Sequence, residues 1–361
     1  MLASIPVYVY YVAAIALSAV ISAYSVRKII FITKNHKIYD VPDDIRKIHG
    51  AEIPSLGGIG IFIGYVIVAA FFWPHAHFFM PYILASSAIL FFTGIYDDIM
   101  NMRPSKKLIA QLIASLVTVL FAHIRIGSLY GLFGIDILPW WPDVIITTLC
   151  CTFFINVFNF VDGIDGLAGV LATMYMLILG ALFACIGHMA VAGISFALAG
   201  ATIGLLFFNV APAKIYMGDT GSMFLGFSIF TFSLLFLNWF GEQGKFDITW
   251  IHGPQKALLL IFAMLFLPVF DAIRVFILRA SRGISPLKAD RTHLHYYLLD
   301  AGFTHTQSVT IIVGSNIAIV VLAYLMQDLN PYIILLSVTL LTILTLLIIY
   351  KLRQIRLSRQ H

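Results

Sequence analysis

Apolar runs of about 20 residues recur along almost the whole chain, with cores near 5–24, 56–73, 81–96, 108–124, 143–160, 167–186, 189–208, 221–240, 256–278, 308–326 and 331–350. A bilayer core about 30 Å thick takes roughly 20 residues of helix to cross, and lipid tolerates no unpaired backbone group. Runs of this length and number restrict the chain to an all-α polytopic integral membrane protein of about 11 transmembrane helices. Composition agrees: 61% of residues are hydrophobic, 11% are charged and the mean hydropathy is +0.97, whereas soluble domains carry about a quarter charged residues. A soluble globular protein, a disordered chain and a nucleic-acid binder are excluded. Cys150, Cys151 and Cys185 all lie in apolar runs, so neither a disulfide framework nor a zinc site is suggested. The first run has no preceding charge and no small-residue cleavage site, and reads as a retained helix.

The charges orient the spans. Of the 22 Lys and Arg, 19 fall in alternate loops and in the tail, leaving only Arg125, Lys245 and Lys256 in the opposite set. Positive loops stay cytoplasmic, which predicts an N-terminus outside and a C-terminus inside. With no long linker and no internal repeat, residues 1–361 read as a single membrane-embedded domain. The stretches 25–55 and 279–307 are long enough for structure of their own. The outside stretch 125–142 alternates apolar residues and glycine and suits a small hairpin, with Trp140 and Trp141 fitting an interfacial belt.

Acids are scarce in mid-span and gathered at span ends. Asp97 and Asp98 end the third run, Asp162 and Asp165 follow the fifth, and Asp219 lies between the seventh and eighth. By the predicted topology all five face the cytoplasm, with Lys47, Lys106, Lys107, Lys214, Arg291, His293 and His295. Carboxylates gathered beside bases and imidazoles at one membrane face point to a divalent cation and a phosphorylated substrate. Adjacent carboxylates such as Asp97 and Asp98 repel, and acids at a helix C-terminus oppose its dipole, so that pair needs a reason to be there. The run from Asn156 to Gly169 places two amides, two acids and the glycines Gly163 and Gly166 where an apolar helix ends. Asp219 follows Gly218 and precedes hydroxyl residues, a setting that suits Mg²⁺, which keeps waters and takes few protein carboxylates.

Taken together, Tyr96-Asp97-Asp98, the Asn156–Gly169 run, Ala213 to Gly226 and the late Asp290 to Leu298 resemble the polyprenyl-phosphate N-acetylhexosamine-1-phosphate transferase family. The nearer branch is that of the WecA and TagO enzymes, with MraY more distant. The resemblance runs in order over essentially the whole chain and includes Arg46 to His49 and Pro54 to Gly58.

Membership implies transfer of N-acetylhexosamine 1-phosphate, most commonly GlcNAc 1-phosphate, from a UDP-sugar to undecaprenyl phosphate. The products are UMP and a lipid-linked sugar diphosphate, in a first membrane step of envelope polysaccharide synthesis at the bacterial cytoplasmic membrane. The resemblance makes Asp219 the Mg²⁺ ligand, with Asn159 a second and Mn²⁺ a substitute ion. Asp97 and Asp98 match the pair that orients or deprotonates the polyprenyl phosphate, a corner that Lys107 shares. Asp165, Asn209 and Tyr216 match the uridine pocket, and Asp162 a position near nucleotide and metal. Arg291, His293 and His295 match the loop that contacts diphosphate and sugar, and Lys47 and His49 further substrate contacts. A homodimer is compatible with the family.

One departure is Tyr296, where WecA and TagO relatives carry a further histidine. The MraY version of that loop is a run of adjacent histidines, which favours a small UDP-amino-sugar over a peptide-bearing donor. A transporter, the alternative from another class, predicts mid-membrane charge and an internal repeat. Its best residue is Asp271, which after Pro268 reads as lying near the cytoplasmic end of a bent helix. Other prenyl-diphosphate or CDP-alcohol transferases carry acids in repeated D-x-x-x-D spacing, which this chain lacks.

Overall fold

The structure is a computed structural model that describes residues 6–36, 53–73, 78–242, 251, 253–283 and 291–358. Each predicted apolar run folds as a helix: α1 (Val7–His36), α2 (Gly57–Phe72), α3 (Met80–Met100), α4 (Pro104–Phe121), α5 (Trp140–Val161), α6 (Leu167–Cys185), α7 (Met189–Asn209), α8 (Gly218–Glu242), α9 (Pro254–Ser281), α11 (His305–Leu325) and α12 (Pro331–Ser358). The short α10 (Leu294–Asp300) comes from the loop stretch 279–307. Ten of these helices are long and apolar enough to cross a membrane, the architecture of a multi-pass membrane protein. The run at 56–73 differs from the others: it yields only 16 helical residues, because Pro54 to Leu56 stay non-helical and are used for loop contacts described below.

The apolar faces explain the packing. Helix α8 is the hub, packed by α2, α3, α5, α6 and α9, and its Phe224, Phe227, Phe232 and Phe236 are fully buried. Helix α12 sits at the periphery and leaves Leu336, Leu340, Leu344 and Leu347 exposed, as suits a lipid-facing surface. Lipid gives no hydrophobic drive between helices, so contact depends on small residues and polar pairs. A polar side chain on successive turns of α4 meets a partner: Gln111 with Asn156 (2.7 Å), Ser115 with Thr152 (3.2 Å) and Thr118 with Ser86 (2.9 Å). Each such pair is worth about 0.6–2 kcal/mol in a membrane.

Pro268 lies inside α9 and has no N–H to give the carbonyl of Met264. Asn316 of α11 donates to that carbonyl instead, at 3.1 Å.

The helix ends fall into two groups. At one end the expected hairpin is present: Ser128 bridges Ile137 antiparallel, and Leu138 N donates to Gly127 O at 2.9 Å. It is tied down by Tyr130 OH on Leu237 O (3.1 Å), Asn238 Nδ2 on Arg125 O (2.7 Å) and Gly127 N on Asp143 Oδ1 (3.0 Å). The acids singled out in the sequence gather at the other end.

Candidate active site

The centre of that end is the first turn of α8. One stretch of backbone, residues 54–58, clasps the loop before it: Tyr216 N donates to Pro54 O (2.8 Å), Gly57 N to Tyr216 O (3.0 Å) and Gly58 N to Met217 O (2.8 Å). This is the work of the Pro54–Gly58 motif. Glycine allows the approach. A Cβ on Gly94 of α3 would lie 2.4 Å from Thr220 Cα, and one on Gly58 only 2.1 Å from Gly221 N.

Asp97 and Asp98 form the last turn of α3, which stops at Asn101 in the left-handed region (φ 51°). The unfavourable position of Asp98 is answered by α8. Its Oδ1 accepts from Asp219 N (2.8 Å) and its Oδ2 from Thr220 N (3.0 Å) and Thr220 Oγ1 (2.6 Å). One carboxylate thus caps the orphan N–H groups and the positive end of a second helix. Asp97 faces elsewhere: its Oδ1 accepts from Met102 N at 2.6 Å and its Oδ2 pairs with Lys107 Nζ at 3.1 Å.

Lys107 also pairs with Asp219 Oδ2, and Asn159 Nδ2 donates to Asp219 Oδ1. Asn159 reaches Ser222 Oγ as well, at 2.8 Å. Asp97, Asp98, Lys107, Asn159 and Asp219 are therefore one constellation, drawn from α3, α4, α5 and α8. The Lys107 ammonium lies between the Asp97 and Asp219 carboxylates and offsets the repulsion between them. Hard oxygens from Asp219, with an amide beside it, suit a Mg²⁺ that relies on substrate phosphates and water for its other ligands. Among the described residues no group of three or more His, Cys, Asp and Glu is arranged to hold a metal.

The loop after α5 continues the site. Asp162 is pushed up to about 7, first by burial and then by the negative charge of Asp219. Asp165 accepts from Ala213 N at 3.1 Å and lies 3.4 Å from His305 Nδ1. Asn209 donates to Ile215 O at 2.9 Å, leaving its buried Oδ1 without a partner among the described residues. Asp165, Asn209 and the half-buried Tyr216 thus border the same loop, 210–217.

The late loop meets the site through the Asn156–Gly169 run. His293 stacks on Phe160 (centroids 5.4 Å apart) and parallel to His295 (5.7 Å). His295 is packed so closely on Gly163 that a Cβ there would come within 2.1 Å of Nε2. Burial, and then the neighbouring His293, lower the His295 pKa to about 3, so its imidazole is neutral. Arg291 lies 5.2 Å over the Tyr296 ring and 3.3 Å from Asp300. Among the described residues no hydrogen bond or ion pair joins Arg291, His293 or His295 to Asp219. Lys47 and His49 lie outside the described residues.

Comparison with known proteins identifies the constellation's relatives. The family model for glycosyl transferase family 4 matches residues 80–237. A Bacillus subtilis (strain 168) protein named probable undecaprenyl-phosphate N-acetylglucosaminyl 1-phosphate transferase is 30% identical over 275 residues, covering 74% of this chain and 71% of the relative. The chain belongs to this family, the polyprenyl-phosphate N-acetylhexosamine-1-phosphate transferases. Other members of the family include the undecaprenyl-phosphate alpha-N-acetylglucosaminyl 1-phosphate transferase of Escherichia coli (strain K12), 29% identical over 289 residues covering 78% of this chain and 74% of that one. The decaprenyl-phosphate N-acetylglucosaminephosphotransferase of Mycobacterium tuberculosis (strain CDC 1551 / Oshkosh) is 29% identical over 299 residues, covering 74% and 70%. The family match spans α3 to α8, the helices that carry the Asp219 constellation.

Sequence reasoning missed three members of the site's surroundings. Thr220 completes the Asp98 cap, His305 meets Asp165, and Asp271 accepts from His293 Nδ1 at 2.9 Å. Only Asp271 had a signal, a carboxylate at the end of an apolar run beside Arg274.

Proposed function

We propose that this protein transfers GlcNAc 1-phosphate from UDP-GlcNAc to undecaprenyl phosphate with Mg²⁺, at the cytoplasmic face of a bacterial inner membrane. Support comes from the family, from its named relatives, and above all from the Asp219 carboxylate held between Lys107 and Asn159 at the capped start of α8. The excess of Lys and Arg on the loops at this end supports the cytoplasmic assignment.

In this reading a lipid phosphate oxygen bonds to the sugar-bearing phosphorus while the bridge to the uridine-side phosphate breaks, releasing UMP. One diphosphate is exchanged for another, so the barrier lies mainly in bringing anions together. Bound at Asp219 and Asn159, Mg²⁺ would neutralise diphosphate charge. Lys107 steadies the incoming phosphate against Asp97, whose second oxygen is free of the α8 cap. A phosphate with a second pKa near 6 is already mostly dianionic, so Asp97 serves orientation more than proton removal. Tyr216, Asp165 and Asn209 border the space assigned to uridine. Arg291 supplies donors to the diphosphate, and His293 faces the sugar beside it.

The test uses the full chain in lipid nanodiscs with undecaprenyl phosphate, Mg²⁺ and a panel of UDP-sugars, following UMP release. Release with UDP-GlcNAc that is lost in Asp219→Ala is expected. No release with any UDP-sugar from folded protein would sink the assignment.

A further inference from the structure

Asp271 lies outside every motif given a role above, yet it is buried, at 8% exposure, three residues after Pro268 in α9. A charge in such a place is expensive unless it is fully partnered. Its partners are specific. Oδ1 accepts from Arg274 Nη2 at 2.6 Å, and Oδ2 accepts from His293 Nδ1 at 2.9 Å and from Leu294 N at 3.2 Å. Arg274 Nη2 also donates to Thr292 O at 2.7 Å. The carboxylate and guanidinium therefore grip residues 292, 293 and 294 in sequence.

The imidazole is fixed in three ways. Asp271 holds Nδ1, Phe160 covers one direction of the ring plane by stacking, and His295 lies parallel to it at 1°. Among the described residues, buried side-chain atoms without a partner include Nε2 of His295 but not Nε2 of His293, and no described group bonds to the latter. A carboxylate on one ring nitrogen places a proton there and leaves the other nitrogen to meet a ligand.

We propose that Asp271 is a positioning residue for the transfer reaction: it holds the proton of His293 on Nδ1 and presents the unprotonated Nε2 to the substrate's sugar as an acceptor for a hydroxyl, with Arg274 fixing the carboxylate. This deepens the function proposed above and rests on it for the substrate, though not for the tautomer. The transporter reading gave Asp271 a place on an ion path. Its saturation by Arg274, His293 and Leu294 leaves no oxygen facing such a path.

The test combines a thermodynamic cycle with spectroscopy on the full chain in nanodiscs. Asp271→Asn should lower kcat about 10–100-fold, the usual cost of removing an orienting partner, with KM for the UDP-sugar changed less than about two-fold. Asp271→Asn/His293→Gln should be no slower than His293→Gln alone, because a residue that acts through His293 has nothing left to position. Nitrogen-15 spectra at alkaline pH, with His293 assigned by difference from His293→Gln, should show its Nδ1 protonated in the wild type and altered in Asp271→Asn. Multiplying losses in the double variant, an unprotonated Nδ1 in the wild type, or an unchanged His293 signal in Asp271→Asn would each overturn the proposal. The wild-type spectrum decides the matter even if Asp271→Asn does not fold. A wild type that turns over no UDP-sugar would fail the substrate assignment while leaving the tautomer measurable.

Discussion

Asp98 and Thr220 meet twice, through the Thr220 backbone N–H at 3.0 Å and its hydroxyl at 2.6 Å, although 122 residues separate them. With the bond from Asp219 N, the last turn of α3 becomes the cap of α8. The two neighbouring aspartates consequently do different things: Asp98 fixes the backbone that carries Asp219, and Asp97 faces Lys107. Asp98→Ala should cost about 1–3 kcal/mol, from the lost cap and the charged hydrogen bonds. It should also loosen amides 219–221 in hydrogen exchange. Thr220→Ser should keep most of the stability and Thr220→Val should lose a part. Equal exchange at 219–221 in wild type and Asp98→Ala would refute the cap.

Lys107 is the cation shared by Asp97 and Asp219. Lys107→Met leaves two carboxylates facing each other and removes a positive charge from the place proposed for the phosphates. UMP release should fall about 100–1,000-fold, the range for loss of a preorganised electrostatic group. Lys107→Arg should recover little of it, because a planar fork does not replace a compact ammonium between two carboxylates. Steady-state rates for both variants, with correct folding checked by thermal unfolding, settle the point.

Two groups beside the site, His295 and Asp162, pull stability in opposite directions with pH. His295 has a folded pKa of about 3 against about 6.5 unfolded. The unfolded chain binds the extra proton between these values, so the stability from His295 is present above about 6.5 and lost as pH falls toward 3. Asp162 is raised to about 7 from about 3.9 unfolded. Here the folded state holds the extra proton, so stability is present below about 3.9 and lost as pH rises toward 7. The two slopes nearly cancel between about pH 4 and 6.5 in the wild type. In EDTA, melting temperatures of His295→Gln should fall as pH rises through that window, and those of Asp162→Asn should rise. Parallel profiles for both variants would contradict these assignments.

Much of this is legible in the sequence alone. Eleven helices follow from the apolar runs, because a bilayer leaves no other economical way to satisfy the backbone, and the 125–142 hairpin follows from its alternation. Asp97, Asp98, Asn159 and Asp219 stand out as polar groups at the ends of apolar segments, and they do converge. What one sequence cannot show is which group answers which across the bundle. Nothing local ties Asp98 to Thr220 or Asn316 to the carbonyl that Pro268 leaves free. Asp271 reads in the sequence as a charge near the end of a bent helix because its partner His293 lies 22 residues further on. The shortness of α2 is hidden for a similar reason: the segment before it reads as part of an apolar run, but its Pro54 carbonyl is taken by Tyr216 N.

Gly163 offers a test of the join between the late loop and the Asn156–Gly169 run. Its Cα is in contact with His295, and a Cβ there would come within 2.1 Å of Nε2 and 2.7 Å of Cε1. His295 is itself walled in, 4% exposed and 4.3 Å from the Tyr296 ring, so it has little room to withdraw. Gly163→Ala should therefore destabilise by about 1–3 kcal/mol, the usual cost of overpacking, and should lower transfer by shifting Asp162 and Asp165 on either side. Truncating the ring makes the space. Gly163→Ala/His295→Ala should melt no lower than His295→Ala alone, the non-additive result expected of two groups in direct contact. If the two losses simply add, the loop and the imidazole are not packed together, and His295 would have to be acting on its own. Thermal unfolding of the four proteins, read beside their rates of UMP release, distinguishes these outcomes.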